Sequence, residues 1–175
     1  MRQHPVGVVY LLAGPLALAC GGGGVGPRPA ELAAIDGTLC FEGEVALLTC
    51  GTNSDRLLSL CSRGESLRYR YGKPGAVELE YPDRDQPLQD AFKWESTETH
   101  GSMDGPPGGQ FSKLSFSRDG TGYLIDERYF GEPPVIKIVV TPANGDPVTS
   151  DCDRQVDGSL AFVAITLSLP VDQAY

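Results

Sequence analysis

Histidine is scarce in this sequence, and the residue patterns of catalytic and metal sites are missing from it. The chain contains two histidines, and only His100 lies in its body, within a loop rich in glycine and proline that is typical of a solvent-facing side chain. A serine hydrolase needs a histidine base next to its nucleophile. No Cys-x-x-Cys, His-Glu-x-x-His, Gly-x-Ser-x-Gly or phosphate-cradling glycine motif occurs. We therefore predict no catalytic residue, no metal site and no cofactor.

Positive charge is also in short supply. Lysine and arginine together number 14 against 23 acidic residues, which gives a formal net charge of −9. Such a surface repels phosphate backbones, so the composition disfavours nucleic-acid binding. The acidic residues are spread along the chain, which predicts a solvated surface. With 175 residues, 41% of them apolar, the chain has enough material for one domain with one core.

An apolar segment near the N-terminus is too short to cross a bilayer. Val6–Ala19 is uncharged over fourteen residues, whereas a transmembrane helix needs about 20. Arg2 precedes this segment, and Ala17-Leu18-Ala19 has the small residues of a cleavage site. The pattern predicts that residues 1–19 are a signal peptide and that the mature protein is exported.

The residue after the predicted cleavage site is Cys20, and four glycines follow it. This segment resembles a bacterial lipoprotein signal, in which that cysteine receives the lipid. Ala17 stands where such signals prefer leucine, so a soluble secreted or periplasmic form is the alternative. The glycine-rich residues 20–35 predict a flexible tether. Residues 36–175 would then be a membrane-anchored domain of the cell envelope that faces the periplasm or the exterior.

The five cysteines fit lipidation, because modification of Cys20 leaves an even number. If Glu44–Cys50 and Arg56–Cys61 form a hairpin, Cys50 lies beside Arg56 and roughly 17 Å from Cys61. A disulfide cannot bridge that distance, but the pairing otherwise stays open. The cysteines predicted to form disulfides in an oxidising compartment are Cys40, Cys50, Cys61 and Cys152.

Short alternating runs separated by turn residues predict β-strands through the rest of the chain. We expect a mainly β single domain, an antiparallel β-sandwich or barrel-like sheet built from hairpins. Leu160–Leu169 is ambiguous between a buried strand and a short C-terminal helix, which Ser159 would cap and Pro170 would end. The predicted strands are Leu39–Phe41, Glu44–Cys50, Arg56–Cys61, Ser66–Tyr71, Ala76–Tyr81, Ala91–Ser96, Gln110–Ser117, Gly122–Phe130, Val135–Thr141 and Val148–Cys152.

The clearest hairpin joins Leu67–Tyr71 to Ala76–Tyr81. Alternation puts apolar and tyrosine side chains on one face and charged side chains on the other. A register with Arg70 opposite Glu78 and Arg68 opposite Glu80 pairs opposite charges. The loop is then Lys73-Pro74-Gly75, in which Gly75 supplies a positive φ.

Three segments, CFEGEVALLTC, RLLSLCS and LRYRYGKPGAVELEYP, carry a resemblance to an uncharacterised family of small exported bacterial proteins. The likeness covers roughly residues 39–152, and its most specific part is Tyr-Arg-Tyr-Gly-Lys-Pro-Gly. It implies a secreted β-domain and supplies no catalytic residues. The segment after Pro82 and the C-terminal tail depart from the family pattern.

Neighbouring acidic residues are the remaining candidates for chemistry. Glu78 and Glu80 share a strand face, as the two carboxylates of a glycosidase could, but each is predicted to face an arginine across the hairpin. Asp83 and Asp85 lack the regular ligand series of a calcium loop. The pairs interpreted as surface charge at strand ends are Asp126-Glu127 and Asp151/Asp153.

Tyrosine and arginine are enriched at binding hot spots, which makes one set of residues a candidate recognition surface: Arg68, Tyr69, Arg70, Tyr71 and Tyr81. The same residues are also explained as core tyrosines and a structural ladder of arginines.

Our leading hypothesis is a non-enzymatic envelope binding module, held at the membrane through Cys20, that presents a β-surface to an envelope or host protein or to a glycan. One alternative is a secreted inhibitor of a host or competitor enzyme such as lysozyme, because an acidic protein suits a basic target. The other is an enzyme with an unrecognised carboxylate site.

Overall fold

The computed structural model describes residues 37–101, 108–130, 133–170 and 172–174. The predicted signal peptide and tether, with Cys20, lie outside the described residues. The strands are β1 (Val45–Thr52), β2 (Leu57–Arg63), β3 (Ser66–Lys73), β4 (Ala76–Tyr81), β5 (Lys93–Thr99), β6 (Gly109–Arg118), β7 (Thr121–Tyr129), β8 (Val135–Thr141), β9 (Val148–Gly158) and β10 (Asp172–Ala174); the helices are α1 (Leu88–Ala91) and α2 (Leu160–Thr166).

Strands β1 to β9 form one antiparallel meander whose last strand returns to its first. Consecutive strands pair from β1 to β4 and from β5 to β9, and β9 then pairs with β1. The sheet is open between β4 and β5, and β10 joins β5 as a short parallel strand at that edge. The prediction of a mainly β antiparallel domain built from hairpins is confirmed.

The sheet folds over so that its two halves share one core. Tyr69 of β3 and Tyr81 of β4 both contact Phe116 of β6, with ring centroids 4.9 and 4.2 Å apart. The long strand β9 pairs with β8 through its first half and with β1 through its second half, and so joins the two halves. Alternating apolar residues supply this interior, which includes Leu48, Leu58, Leu60, Tyr69, Leu114, Phe116, Ile125 and Ile138.

Two buried disulfides fix how the strands are joined. Cys50–Cys152 links β1 to β9, where the meander returns on itself, and closes a separation of 102 residues. Cys40–Cys61 fastens the segment before β1 to β2. Cys50 lies opposite Leu58 and not, as predicted, beside Arg56, because β1 continues to Thr52. The two strands do form a hairpin, and Cys50 and Cys61 each bond another cysteine, which settles the pairing that the sequence left open.

The β3–β4 hairpin keeps its predicted faces, but the predicted register is wrong. Arg70 lies opposite Glu80, and Tyr71 lies opposite Leu79. Two differences add up to this change: the turn is Pro74-Gly75 and not the predicted Lys73-Pro74-Gly75, and the register shifts by one further residue at an irregularity between Tyr71 and Gly72. Gly72 has φ +154°, and a Cβ placed there would lie 2.7 Å from the backbone nitrogen of Glu78.

The ambiguous C-terminal run contains a helix, α2. The Ser159 hydroxyl accepts a hydrogen bond of 3.0 Å from the N–H of Phe162 and caps it, as the helical alternative predicted.

Leu39–Phe41 is not a regular strand but crosses over β2, where the N–H of Leu39 donates to the Ser59 hydroxyl at 3.0 Å. Neither helix in the described ranges is long and apolar enough to cross a membrane.

Replacing Gly72 with alanine tests the hairpin register. We expect Gly72→Ala to lower the free energy of unfolding by about 3 kcal/mol or more, because the new methyl group would meet the facing backbone at a strained φ. Gly75→Ala is the matched control, since it also has a positive φ but nothing within 4 Å of a Cβ, and should cost about 1 kcal/mol. Urea unfolding measures both, and equal costs would contradict the register.

Candidate functional site

The five residues of the predicted recognition surface do not share one exposed face. Tyr69, Tyr71 and Tyr81 pack against the core on the inner face, whereas Arg68 and Arg70 lie on the outer face. Tyr69 is 1% exposed and Arg70 is 2% exposed, so neither is accessible to a partner. Arg68, Tyr71 and Tyr81 are half-buried.

Arg70 is the centre of a buried ion-pair network that holds the segment before β1 against the sheet. Its guanidinium donates to Glu44 at 3.0 Å and to Glu80 at 2.7 Å, and it lies 4.1 Å from the ring centre of Phe41. Burial raises the pKa of Glu44, but the hydrogen bonds from Arg70 and from the N–H of Phe41 outweigh it, so the pKa lies below its ordinary value. Arg68 extends the network by pairing with Glu80 at 3.3 Å. These contacts stabilise the fold and leave Arg70 no free donor face.

Most of the other acidic candidates are paired with cations at the surface. The exposed carboxylate of Glu78 accepts from Arg56 at 2.7 Å, instead of from Arg70 as predicted. Asp83 pairs with Arg118, Asp85 with Arg68, Asp126 with Arg128, and Asp151 with Lys137, at distances of 3.3, 2.7, 3.6 and 3.6 Å. Asp153 and His100 are exposed.

One grouping among the described residues has the composition of a metal site, namely Cys40, Glu44 and Cys61. The two sulfurs are bonded to each other, so neither is a thiolate ligand. Glu44 is engaged by Arg70. The grouping is therefore part of the structural network.

Glu127 is the acidic residue whose position the sequence did not predict correctly. It was interpreted as surface charge, but it is 1% exposed and points into the folded sheet. The register places Ser96, Ser112 and Glu127 side by side across β5, β6 and β7. This row, which we call the polar row, lies on the same face as the apolar residues Leu114 and Ile125. The polar row therefore forms the boundary of the apolar core on the side nearest α2.

The Glu127 carboxylate accepts hydrogen bonds from the start of α2. Its two oxygens lie 2.7 Å from the nitrogen of Leu160 and 3.4 Å from that of Ala161. Burial raises the pKa of Glu127, and the two backbone hydrogen bonds offset this only in part. The contact joins β7 to a helix that begins 33 residues later in the chain.

A cavity of about 460 Å³ lies between α2, the end of β9 and the ends of β6 and β7. Gln110 enters it from β6, and the Gln110 amide nitrogen donates to the hydroxyls of Ser96 and Ser112 at 3.3 Å each. The two serine hydroxyls are themselves 2.9 Å apart. The polar row thereby fixes the orientation of the Gln110 amide. The cavity is lined by Gln110, Glu127, Tyr129, Pro133, Pro134, Val156, Gly158, Ser159 and Ala161.

A second, smaller cavity of about 280 Å³ lies on the other side of α2. Gln110 and Ala161 line both cavities, so the helix stands between them. Ile165, which is 77% exposed, belongs to the second lining. The larger of the two cavities beside α2, which we call the end cavity, has the size of a small-molecule site, since such sites measure about 300–1,000 Å³.

The polar side chains in the described lining of the end cavity are a carboxylate, an amide, a phenol and a hydroxyl. Glu127 is the one carboxylate among these described residues, and both of its oxygens accept backbone hydrogen bonds. Ser159 accepts from Phe162, and among the described residues no histidine or lysine lines the cavity beside it. A nucleophile needs an adjacent base, and glycoside hydrolysis needs a second carboxylate.

No protein-family model, no curated protein and no solved structure matches this chain. Function is therefore inferred from the geometry of the end cavity and from the sequence. The signal that could have identified Glu127 is the strand period, because Tyr123, Ile125 and Glu127 share one face of β7. The same strand period predicts that Gln110 points inward, because Gln110, Ser112 and Leu114 share one face of β6.

The pH dependence of stability should distinguish Glu127, which is buried, from Glu44, which is half-buried. The pKa of Glu127 is raised above 4.5 in the folded protein, so the free energy of unfolding falls as pH rises from about 4.5 through the raised pKa. Glu127→Gln should not show this fall. The free energy of unfolding of the variant, relative to that of wild type, should therefore rise as pH increases from about 4.5 through the raised pKa. Urea unfolding at pH 4 to 8 measures the difference.

Glu44→Gln is the counterpart variant, because the pKa of Glu44 is lowered. Glu44 contributes stability that is present above pH 4.5 and is lost as pH falls through the lowered pKa. We expect Glu44→Gln to cost roughly 2–3 kcal/mol at pH 7 and progressively less in acid. If the free energy of unfolding of Glu127→Gln differed from that of wild type by the same amount at every pH from 4 to 8, the raised pKa of Glu127 would be contradicted.

Proposed function

We propose that this protein is an exported, lipid-anchored binding module of the bacterial cell envelope, and that the end cavity holds its ligand without chemical change. The observation that carries the proposal is the cavity itself. Its lining combines apolar surface with an oriented amide, Gln110, and a hydroxyl, Ser159. A few fixed polar groups beside apolar surface are the features by which small-molecule sites orient and hold a ligand.

Two features support export. The described part of the chain contains two disulfides, which persist in oxidising compartments. All four cysteines after Cys20 are consumed by them, so Cys20 has no partner cysteine left. A lipid on the Cys20 sulfur accounts for the odd cysteine, and the glycine-rich residues 20–35 would then tether the domain to the membrane.

The packing around the end cavity supports binding over catalysis. The polar row and Glu127 make their hydrogen bonds within the protein, so they orient the lining instead of presenting a reactive group. A binding module needs such a preorganised site, because a rigid site lowers the entropic cost of holding a ligand.

Lipidation is tested on the full-length chain expressed in a bacterial host. We expect membrane fractions to yield a mature protein that begins at Cys20 and carries acyl mass, measured by intact-mass spectrometry. Cys20→Ser should remove the acyl mass and shift the protein out of the membrane fraction. Wild-type protein that is processed but carries no acyl group would contradict the anchor and leave ordinary secretion.

Ligand binding is tested by filling the end cavity. Ala161→Trp places an indole in the lining, whereas Val148→Trp adds the same group at a position on β9 that is 61% exposed and outside the lining. Detergent-solubilised wild type, exposed to envelope extract and repurified, should carry a non-covalent small-molecule mass in native mass spectrometry.

The Ala161→Trp variant should lose that mass, and Val148→Trp should retain it. Circular dichroism and urea unfolding confirm that both variants are folded. A wild-type protein without any added mass, or a mass that Ala161→Trp retains, would contradict binding in the end cavity.

A further inference from the structure

We propose that the ligand of the end cavity is a neutral, hydroxyl-rich sugar, a mono- or disaccharide unit whose ring packs on Tyr129 and whose hydroxyls bond to Gln110 and Ser159. This inference rests on the proposed function and names the chemical class of its ligand. It follows from the charge, the polar atoms and the apolar surface of the lining, together with the strands that carry them.

The charge of the described lining disfavours both anionic and cationic ligands. No lysine or arginine among the described residues lines the end cavity, so a carboxylate or phosphate group would meet no counter-ion there and would lie near Glu127. A cation would need a free carboxylate, but the described carboxylate, Glu127, is 1% exposed and its oxygens accept from Leu160 and Ala161. The described lining therefore favours a neutral ligand.

The polar atoms left to a ligand suit hydroxyl groups. The Gln110 amide nitrogen donates to two serines, and its oxygen makes no hydrogen bond within the described part of the chain. Ser159 accepts from Phe162 through its oxygen, and its hydroxyl proton can still be donated. The site thus offers an acceptor and a donor, and a sugar hydroxyl can pair with either.

The apolar side of the lining suits the C–H face of a sugar ring. Tyr129 is 38% exposed and belongs to the lining, to which it contributes a ring and a hydroxyl. Pro133, Pro134, Val156 and Ala161 contribute apolar surface beside it. A ring that is apolar on its faces and polar at its edge can satisfy both kinds of surface at once.

The strand order disfavours a peptide in the same place. Gln110 belongs to β6 and Tyr129 to β7, and each of these strands is paired on both sides. An extended peptide binds most readily by adding to a free strand edge, and neither β6 nor β7, which carry Gln110 and Tyr129, offers one. Side-chain contacts alone are available, and they favour a compact, rigid ligand.

Isothermal titration calorimetry on the detergent-solubilised mature lipoprotein tests this inference with defined probes. The neutral probes are maltose, cellobiose and N,N′-diacetylchitobiose; glucuronic acid is the anionic probe, and tetra-alanine amide is the peptide probe. We expect at least one neutral saccharide to bind with a Kd of about 1 mM or lower, and glucuronic acid to bind at least tenfold more weakly.

Four variants locate the binding. Tyr129→Ala and Ala161→Trp should weaken saccharide binding at least tenfold, while Tyr129→Phe, which keeps the ring, should change it less than threefold. Val148→Trp, outside the lining, should bind as wild type does. Equal affinity of Tyr129→Ala and wild type would overturn the stacking role of Tyr129.

Native mass spectrometry and the saccharide titrations together separate an error in the sugar assignment from an error in the proposed function. If wild type carries a native-mass adduct that Ala161→Trp loses, but no neutral saccharide binds, the sugar assignment is wrong and the binding module stands. Preference for tetra-alanine amide or for glucuronic acid would also overturn it, in favour of a peptide or an anion. Absence of both adduct and saccharide binding would overturn both proposals.

Discussion

The pairing of β9 with β1 is the constraint on which the rest of this structure depends. It turns two separate meanders, β1–β4 and β5–β9, into one folded sheet, and Cys50–Cys152 cross-links the junction. At the end of β9 the backbone passes so close to β1 that a Cβ on Gly158 would overlap the carbonyl of Leu47. Glycine at that point, with φ +80°, lets the backbone turn into Ser159 and α2, which places the helix across the open end of the core.

The protein buries charge in two different ways. Arg70 lies between two carboxylates, so its charge is balanced by ion pairs, and the same contacts hold the segment before β1 in place. Glu127 has no cation among its contacts in the described ranges and is stabilised by two backbone N–H groups. The first arrangement lowers the pKa of Glu44, and the second leaves that of Glu127 raised, because amide dipoles compensate less for lost hydration than a guanidinium does.

Features that depend on neighbouring residues could be predicted from the sequence, whereas those that depend on distant contacts could not. Alternation predicted the faces of β3 and β4, and Ser159 predicted the start of α2 in the helical alternative, although α2 ends at Thr166 and not at Pro170. The predicted register of that hairpin is wrong because the alternation pattern runs through Gly72 as if it were regular strand. Glycine instead allows the φ of +154° and the shifted pairing found there. The Cys50–Cys152 bond and the Glu127–Leu160 contact join residues that are 102 and 33 positions apart, and no local pattern encodes such contacts.

The position of β4 at the end of the sheet has a consequence for contact between copies of this chain. An unpaired strand edge invites a second molecule to extend the sheet, and charged side chains on the edge strand are one way in which sheets discourage this. On β4, Glu78 and Glu80 project from one face, where they pair with Arg56 and Arg70. A second strand added to β4 would have to fit against these ion pairs, so the charged edge disfavours strand-by-strand assembly of neighbouring molecules.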